Sequence, residues 1–123
     1  MGSITMKVRV VTVDFDNFRQ RIDEARECLI KFLACKVRRS SSGEGLHMKK
    51  SCSSEAEYSH ALALKNKYDD PRRIEIDAIR KEHGLTSDIL FSDKWIDGDR
   101  KVAGSWVNFE SKNEVMNMEE ILK

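Results

Sequence analysis

Apolar and polar residues alternate from Met6 to Phe15, a stretch rich in valine, and this period of two predicts a strand. Val11, Val13 and Phe15 share one of its faces; Val10, Thr12, Asp14 and Asp16 share the other. The period then lengthens. Phe18, Ile22, Ala25, Leu29 and Phe32 or Leu33 recur every three or four positions, which predicts a helix from a cap at Asp16 or Asn17 to about Cys35. Lys36 to Arg39 and Leu46 to Lys50 read as two strands joined by the turn Ser40-Ser41-Ser42-Gly43-Glu44-Gly45. Ser54-Glu55-Ala56-Glu57 fits a capping box opening a helix to about Tyr68. Asp70-Pro71 restarts the chain as a third helix ending near Gly84. Asp88 to Trp95 and Val102 to Phe109 predict a hairpin across residues 96–100, and Val115, Met118 and Leu122 lie on one side of a closing helix within residues 111–123. The order β-α-β-β-α-α-β-β-α, without internal repeat, predicts an α/β (α+β) fold: a single mixed sheet with helices packed against it, one domain over residues 1–123.

Composition narrows this picture only a little. Charged residues make up 35% and apolar ones 40% of 123 residues, enough for one small core. The apolar runs are too short for a membrane span, so no membrane partner is expected. Met1 to Lys7 lacks the apolar stretch of a signal peptide, and Met6 is an alternative start, with residues 1–5 a leader. Cys28, Cys35 and Cys52 are too scattered for a disulfide scaffold; buried or spare thiols in a cytoplasmic chain are expected. Net charge is only +1, yet the distribution is uneven. Lys36, Arg38, Arg39, Lys49 and Lys50 face a single acidic residue, Glu44, in the middle of the chain, whereas the segment from Glu110 onward is acidic. An anion-binding face and an ordinary solvated hairpin both fit that distribution.

Two constellations carry possible chemistry. Asp14 and Asp16, two apart on a strand, point the same way and could share a hard cation; Asp16 also suits a helix cap. In Ser42-Gly43-Glu44-Gly45-Leu46-His47, alternate glycines let the backbone turn sharply and offer amide N–H groups to an anion, and His47 and Lys49 then share a strand face. A glycine hairpin followed by a surface histidine is the plainer alternative.

In this order and at this separation, VVTVDFD, an amphipathic helix and SSSGEGLHMKK resemble the archaeo-eukaryotic primases, and are especially similar to the polymerase domains of bacterial end-joining ligases. The stretch Val10 to Lys50, about a third of the chain, carries the resemblance. It implies a primase-like, RRM-like core, with Asp14 and Asp16 as ligands of Mg²⁺ or Mn²⁺, Ser42 and His47 as phosphate contacts, and Asp14, Asp16 and His47 as the catalytic set of an active member. A third aspartate belongs to the pattern, and Asp77 and Asp93 are the candidates; Asp77 falls where a helix is expected, and Asp93 follows Ser92 where the family has an apolar residue. The chain is short for an active member and has no zinc-like Cys/His cluster. It also resembles the shortened, non-catalytic primase-derived single-stranded DNA-binding proteins of thermophilic archaea and their viruses.

The leading expectation is therefore single-stranded DNA or RNA binding by a minimal, catalytically inactive primase-like domain that serves replication and needs no cofactor. The alternative is a metal-dependent primase-polymerase. Phosphates would meet Arg38, Arg39, Ser42, Gly43, Gly45 and His47, together with Lys49 and Lys50. Lys65, Lys67, Arg72 and Arg73 could extend that track. Phe91, Trp95 and Trp106, on adjoining late strands, suit either base stacking or core packing. A homodimer through the C-terminal helix is a further expectation. One Gln, one Pro and many charges lean towards a thermophile.

Overall fold

A computed structural model describes residues 9–85 and 89–123; the expected leader, residues 6–8 of the first strand and Asp88 lie outside the described residues. The alternation of the first strand is realised as β1 (Arg9–Phe15), followed by α1 (Ile22–Lys31), β2 (Cys35–Arg39), β3 (Leu46–Cys52) and α2 (Glu55–Tyr68). β3 lies between β1 and β2 and is antiparallel to both, the split β-α-β arrangement. α3 (Pro71–Glu82) starts at the Asp-Pro signal, with the Asp70 carboxylate accepting from the Arg72 amide. Then follow β4 (Asp93–Ile96), β5 (Asp99–Val102), β6 (Val107–Phe109), α4 (Lys112–Met116) and α5 (Met118–Ile121). The fold is α+β, and its element order broadly follows the expected one.

One face of the four-stranded sheet, ordered β1-β3-β2-β6, carries the core. Val11, Val13 and Phe15 of β1, Val37 of β2, and Leu46 and Met48 of β3 are buried there with Ala25, Cys28 and Leu29 of α1 and Ala61 and Leu64 of α2. Val115, Met118 and Leu122 close the same core. The apolar side of the C-terminal helices, expected to serve a homodimer, is thus used within the chain. All three cysteines are free and buried, and burial pushes the Cys28 and Cys35 thiols up to about 12.

Several expectations needed correction. Asn17 adopts a left-handed backbone (φ 55°), which asparagine tolerates but a cap residue does not use. A turn over residues 17–21 results, and α1 begins only at Ile22, so Asp16 caps nothing. The late hairpin is shorter than expected. Asp97 and Gly98, at φ 51° and 80°, make its two-residue turn between β4 and β5, which form a separate two-stranded sheet. The chain then crosses at Ala103-Gly104, where the Gly104 amide donates to the Arg39 carbonyl, and β6 pairs with β2. Trp106 therefore stands beside the main sheet instead of opposite Trp95, whose cross-strand partner is Arg100. The main sheet's pairings are all antiparallel, so the expected mixed sheet becomes an antiparallel sheet and a hairpin.

Candidate functional site

Strand alternation sends Val11, Val13 and Phe15 of β1 into the core and leaves Thr12 and Asp14 on the sheet's other face. Pairing places His47 across from both Asp14 of β1 and Arg38 of β2. Where β1 ends and α3 begins, a cavity of about 600 Å³ opens at this corner. Asp14, Asp16, His47 and the serines Ser40, Ser41 and Ser42 line one side. Arg72, Arg73, Ile76 and Asp77 of α3, with Asp70 just before it, line another. Ile89, Leu90, Phe91, Asp93 and Lys94 close the third. The two sequence constellations thus meet in one cleft.

The wall formed by α3 is held by a buried network of charges. Asp69 Oδ1 accepts from the backbone amides of Asp14 (3.2 Å) and Asp70 (2.7 Å), while Oδ2 accepts from Lys65 Nζ at 2.7 Å and from Arg73. Lys65 Nζ also donates to the Thr12 carbonyl at 3.0 Å and pairs with Asp77 at 3.0 Å. Burial works against the Lys65 charge, but the hydrogen bond and charge of Asp69 more than offset it, and the lysine pKa is raised. Arg73 reaches from α3 to Thr12 and, at 3.4 Å, to the Ile89 carbonyl. Asp77, a candidate third metal ligand, is thus an ion-pair partner of Lys65. Asp93, the other candidate, pairs with Arg100 Nε at 3.0 Å across its hairpin. Asp70, which the sequence announced only as a helix cap, also borders the cleft, and its charge acts on both Asp14 and Asp16.

Carboxylates crowd this cleft. Burial, then the neighbouring charge of Asp16, pushes Asp14 from 3.8 up to about 6, against the pull of Arg73. Asp16 is raised by burial and then by Asp70 and Asp69. His47 moves the opposite way: burial, with Arg38 and Arg73 adding to it, pushes it down to about 4. Its Nε2 lies 3.9 Å from Asp14 Oδ1, and at neutral pH the pair is a neutral imidazole beside a carboxylate, not an ion pair.

The glycine turn is built differently from a phosphate nest. The Gly43 amide donates to the Ser40 carbonyl at 2.9 Å, the Glu44 amide to Ser42 Oγ at 3.3 Å and the Gly45 amide to Ser40 Oγ at 3.0 Å. The amides of Gly43, Glu44 and Gly45 are thus consumed internally, and the turn shows the cleft its serines. Gly43 is needed for its backbone (φ 79°), and a Cβ on Gly45 would meet the Phe15 carbonyl at 3.1 Å. Arg39 donates to the Gly43 carbonyl at 2.6 Å, which ties it to the turn. Lys50 points to the helix side, where it donates to the Leu33 carbonyl. Of the basic residues singled out on β2 and β3, Arg38 and Lys49 stand on the open face, joined there by Lys36, which the register places beside Lys49.

Next to the cleft, a second depression of about 350 Å³ includes Thr12, Arg38, Lys49, Leu90 and Trp106. The Trp106 ring lies 4.3 Å from the Arg38 guanidinium carbon and 4.1 Å from Lys49 Nζ, a doubled cation–π contact. Phe91 and Trp95 remain outside the core, 73% and 70% exposed. Phe91 and Lys94 both line the cleft.

The donor set suits a small divalent cation to a limited extent. Asp14 and Asp16 are carboxylates whose neighbours disfavour their charge, which a cation would relieve, and Mg²⁺ commonly takes one or two carboxylates and fills its shell with water and phosphate. Among the described residues no group of three or more His, Cys, Asp or Glu is poised to hold a metal. Fold and site together define an α+β domain with a cleft at one corner of an open sheet face, where carboxylates and arginines meet the apolar side chains Ile76, Ile89, Leu90 and Phe91. None of the family models, curated proteins or solved structures compared with the chain matches it. No helix among the described residues is long and apolar enough to cross a membrane.

Proposed function

We propose that this chain binds single-stranded nucleic acid across the open face of its sheet and into the adjoining cleft. The observation that carries this reading is the set of large rings left outside the core: Trp106 against Arg38 and Lys49, and the exposed Phe91 lining the same cleft as Lys94. In a chain this small, leaving such rings unburied sacrifices core, and flat rings among cations suit unpaired bases and their phosphates. Lys36, Lys49, Arg72 and Lys94 are the cations disposed for phosphate. With four engaged, the affinity of a labelled oligonucleotide, followed by fluorescence anisotropy, falls with salt at a log–log slope of about −3. Binding indifferent to salt between dilute and physiological buffer removes the electrostatic part of this reading.

A second reading, metal-dependent nucleotidyl transfer, is favoured by the convergence of Asp14, Asp16, Ser42 and His47 on one cavity and by the freedom of Asp16 from helix capping. Asp14 and Asp16 would then hold Mg²⁺ or Mn²⁺, which neutralises charge on a triphosphate. Templated incorporation of a labelled nucleotide with Mn²⁺, lost in the Asp14→Asn, Asp16→Asn double variant, would establish the enzyme. A gel shift of the oligonucleotide without incorporation leaves the binding reading alone.

A further inference from the structure

By sequence Arg38 belongs with the phosphate-binding cations, but its surroundings are those of a structural link. It is only 8% exposed. Nε donates to His47 Nδ1 at 3.1 Å, Nη2 donates to the Leu90 carbonyl at 3.4 Å, and the guanidinium carbon lies 4.3 Å from the centre of the Trp106 ring. A guanidinium offers donors only, so the nitrogen that receives one carries no proton. The imidazole hydrogen is then on Nε2, the nitrogen that faces Asp14. This tautomer is assigned from the hydrogen-bond partner, because the donor leaves one choice.

We propose that Arg38 is a positioning residue: it holds His47 as the Nε2–H tautomer, giving the cleft one fixed neutral donor for a phosphate oxygen, and does not itself contact phosphate. The same guanidinium joins the cleft to the Trp106 platform, since Leu90 lines the cleft and Trp106 lines the depression beside it. The ligand half of the proposal rests on the nucleic-acid reading; the tautomer half does not.

Long-range ¹H–¹⁵N spectra of the histidine rings test the tautomer in the ligand-free parent at neutral pH, with His47 assigned by its loss in His47→Gln. The expected result is a protonated, pyrrole-like Nε2 and an unprotonated, pyridine-like Nδ1. A protonated Nδ1, or an averaged mixture of tautomers, overturns the proposal and requires no folded variant at position 38. Arg38→Met keeps the apolar stem and removes the donors. It should convert His47 to a tautomer mixture and weaken binding of an oligothymidylate about twofold, because only the fraction of rings still protonated at Nε2 offers the donor. Its salt slope should match that of the parent. A slope reduced by about 0.7 would mark Arg38 as a direct phosphate contact and refute the positioning role. A parent that binds no oligonucleotide refutes the nucleic-acid reading alone, and the ring spectrum still decides the tautomer.

Discussion

The two helices nearest the cleft are held in different proportions by burial and by charge. α2 lays Ala61, Leu64 and Tyr68 into the core and adds one buried cation, Lys65, bonded to the Thr12 carbonyl. α3 buries only Asp77, while Ile76 and Ile79 stay 52% and 50% exposed. Its inward positions are Arg73 and Asp77, bound to Lys65, Asp69 and Thr12. Apolar burial is non-directional and tolerates small slides, whereas hydrogen-bonded charges require one geometry. A helix anchored by charge also presents a polar wall, and that wall bounds the cleft. The difference implies that apolar burial holds the scaffold while an ionic network holds the cleft's α3 wall and leaves Ile76 exposed there.

Breaking each anchor in turn tests this division. Phe15→Ala, on the core face of β1, should cost about 3–5 kcal/mol in urea unfolding and loosen the whole molecule, because the ring is fully buried. Asp69→Asn keeps the oxygen that accepts from the Asp14 and Asp70 amides but removes the charge between Lys65 and Arg73. Breaking one member of a buried ionic network costs about 3 kcal/mol. The loss should appear first as faster hydrogen exchange of α3 amides, with α2 still protected. Equal exchange in α2 and α3 would mean that charge is not what sets α3 apart.

A smaller effect separates two neighbours on one side of the cleft, Asp14 and His47, by pH. The folded pKa of Asp14 is raised from 3.8 to about 6, so between those values the folded state keeps a proton that the unfolded chain has released. Its contribution to stability is present below the unfolded value and falls by about 2–3 kcal/mol as pH rises to 6. His47 is depressed from 6.5 to about 4, so the unfolded chain takes up its proton first, and stability rises by a similar amount from pH 4 to 6.5. The two slopes oppose each other. Urea midpoints measured from pH 4 to 7 should rise with pH in Asp14→Asn, fall from pH 4 to 6 in His47→Gln, and vary least in the parent. Parallel profiles for all three proteins would contradict the opposed shifts.

Local signals carried well from sequence to structure and distant ones did not. The alternation of β1, Asp70-Pro71 and Asp97-Gly98 fixed a strand, a helix start and a turn through backbone preferences acting within a few residues. The resemblance to the primases suggests the convergence of Asp14, Asp16, Ser42 and His47, yet their common cavity depends on α3, which the sequence joins to them only through Asp77 as a candidate ligand and Arg72 and Arg73 as an extended track. Lys65 bonds to Thr12 across 53 residues of chain and Arg73 across 61, and no periodicity encodes such pairs. The turn is not a nest at Glu44 and Gly45, because the hydroxyls of Ser42 and Ser40 take those amides. The late hairpin is shorter than its pattern predicts because Val102 and Val107 look alike in sequence, although one is on the hairpin and the other on the main sheet.

The smallest expected change in stability gives the sharpest test of what the exposed rings do. Trp95 is 70% exposed on β4, with Arg100 across from it. Removing a side chain so placed changes stability by no more than about 0.5 kcal/mol, since it leaves no cavity and strands no polar partner. If the ring stacks on a base, Trp95→Ala loses about 1–3 kcal/mol of oligonucleotide affinity, roughly 5- to 150-fold, with the salt slope unchanged because no phosphate contact is removed. Phe91→Ala should behave alike from the cleft. Tryptophan fluorescence complicates a direct reading, as Trp95 and Trp106 both report, so the affinity is best followed by anisotropy of the labelled strand. Full affinity in Trp95→Ala combined with a loss in Phe91→Ala would confine the strand to the cleft and the open sheet face. Full affinity in both variants would leave Trp106 as the stacking ring and remove the hairpin from the interface.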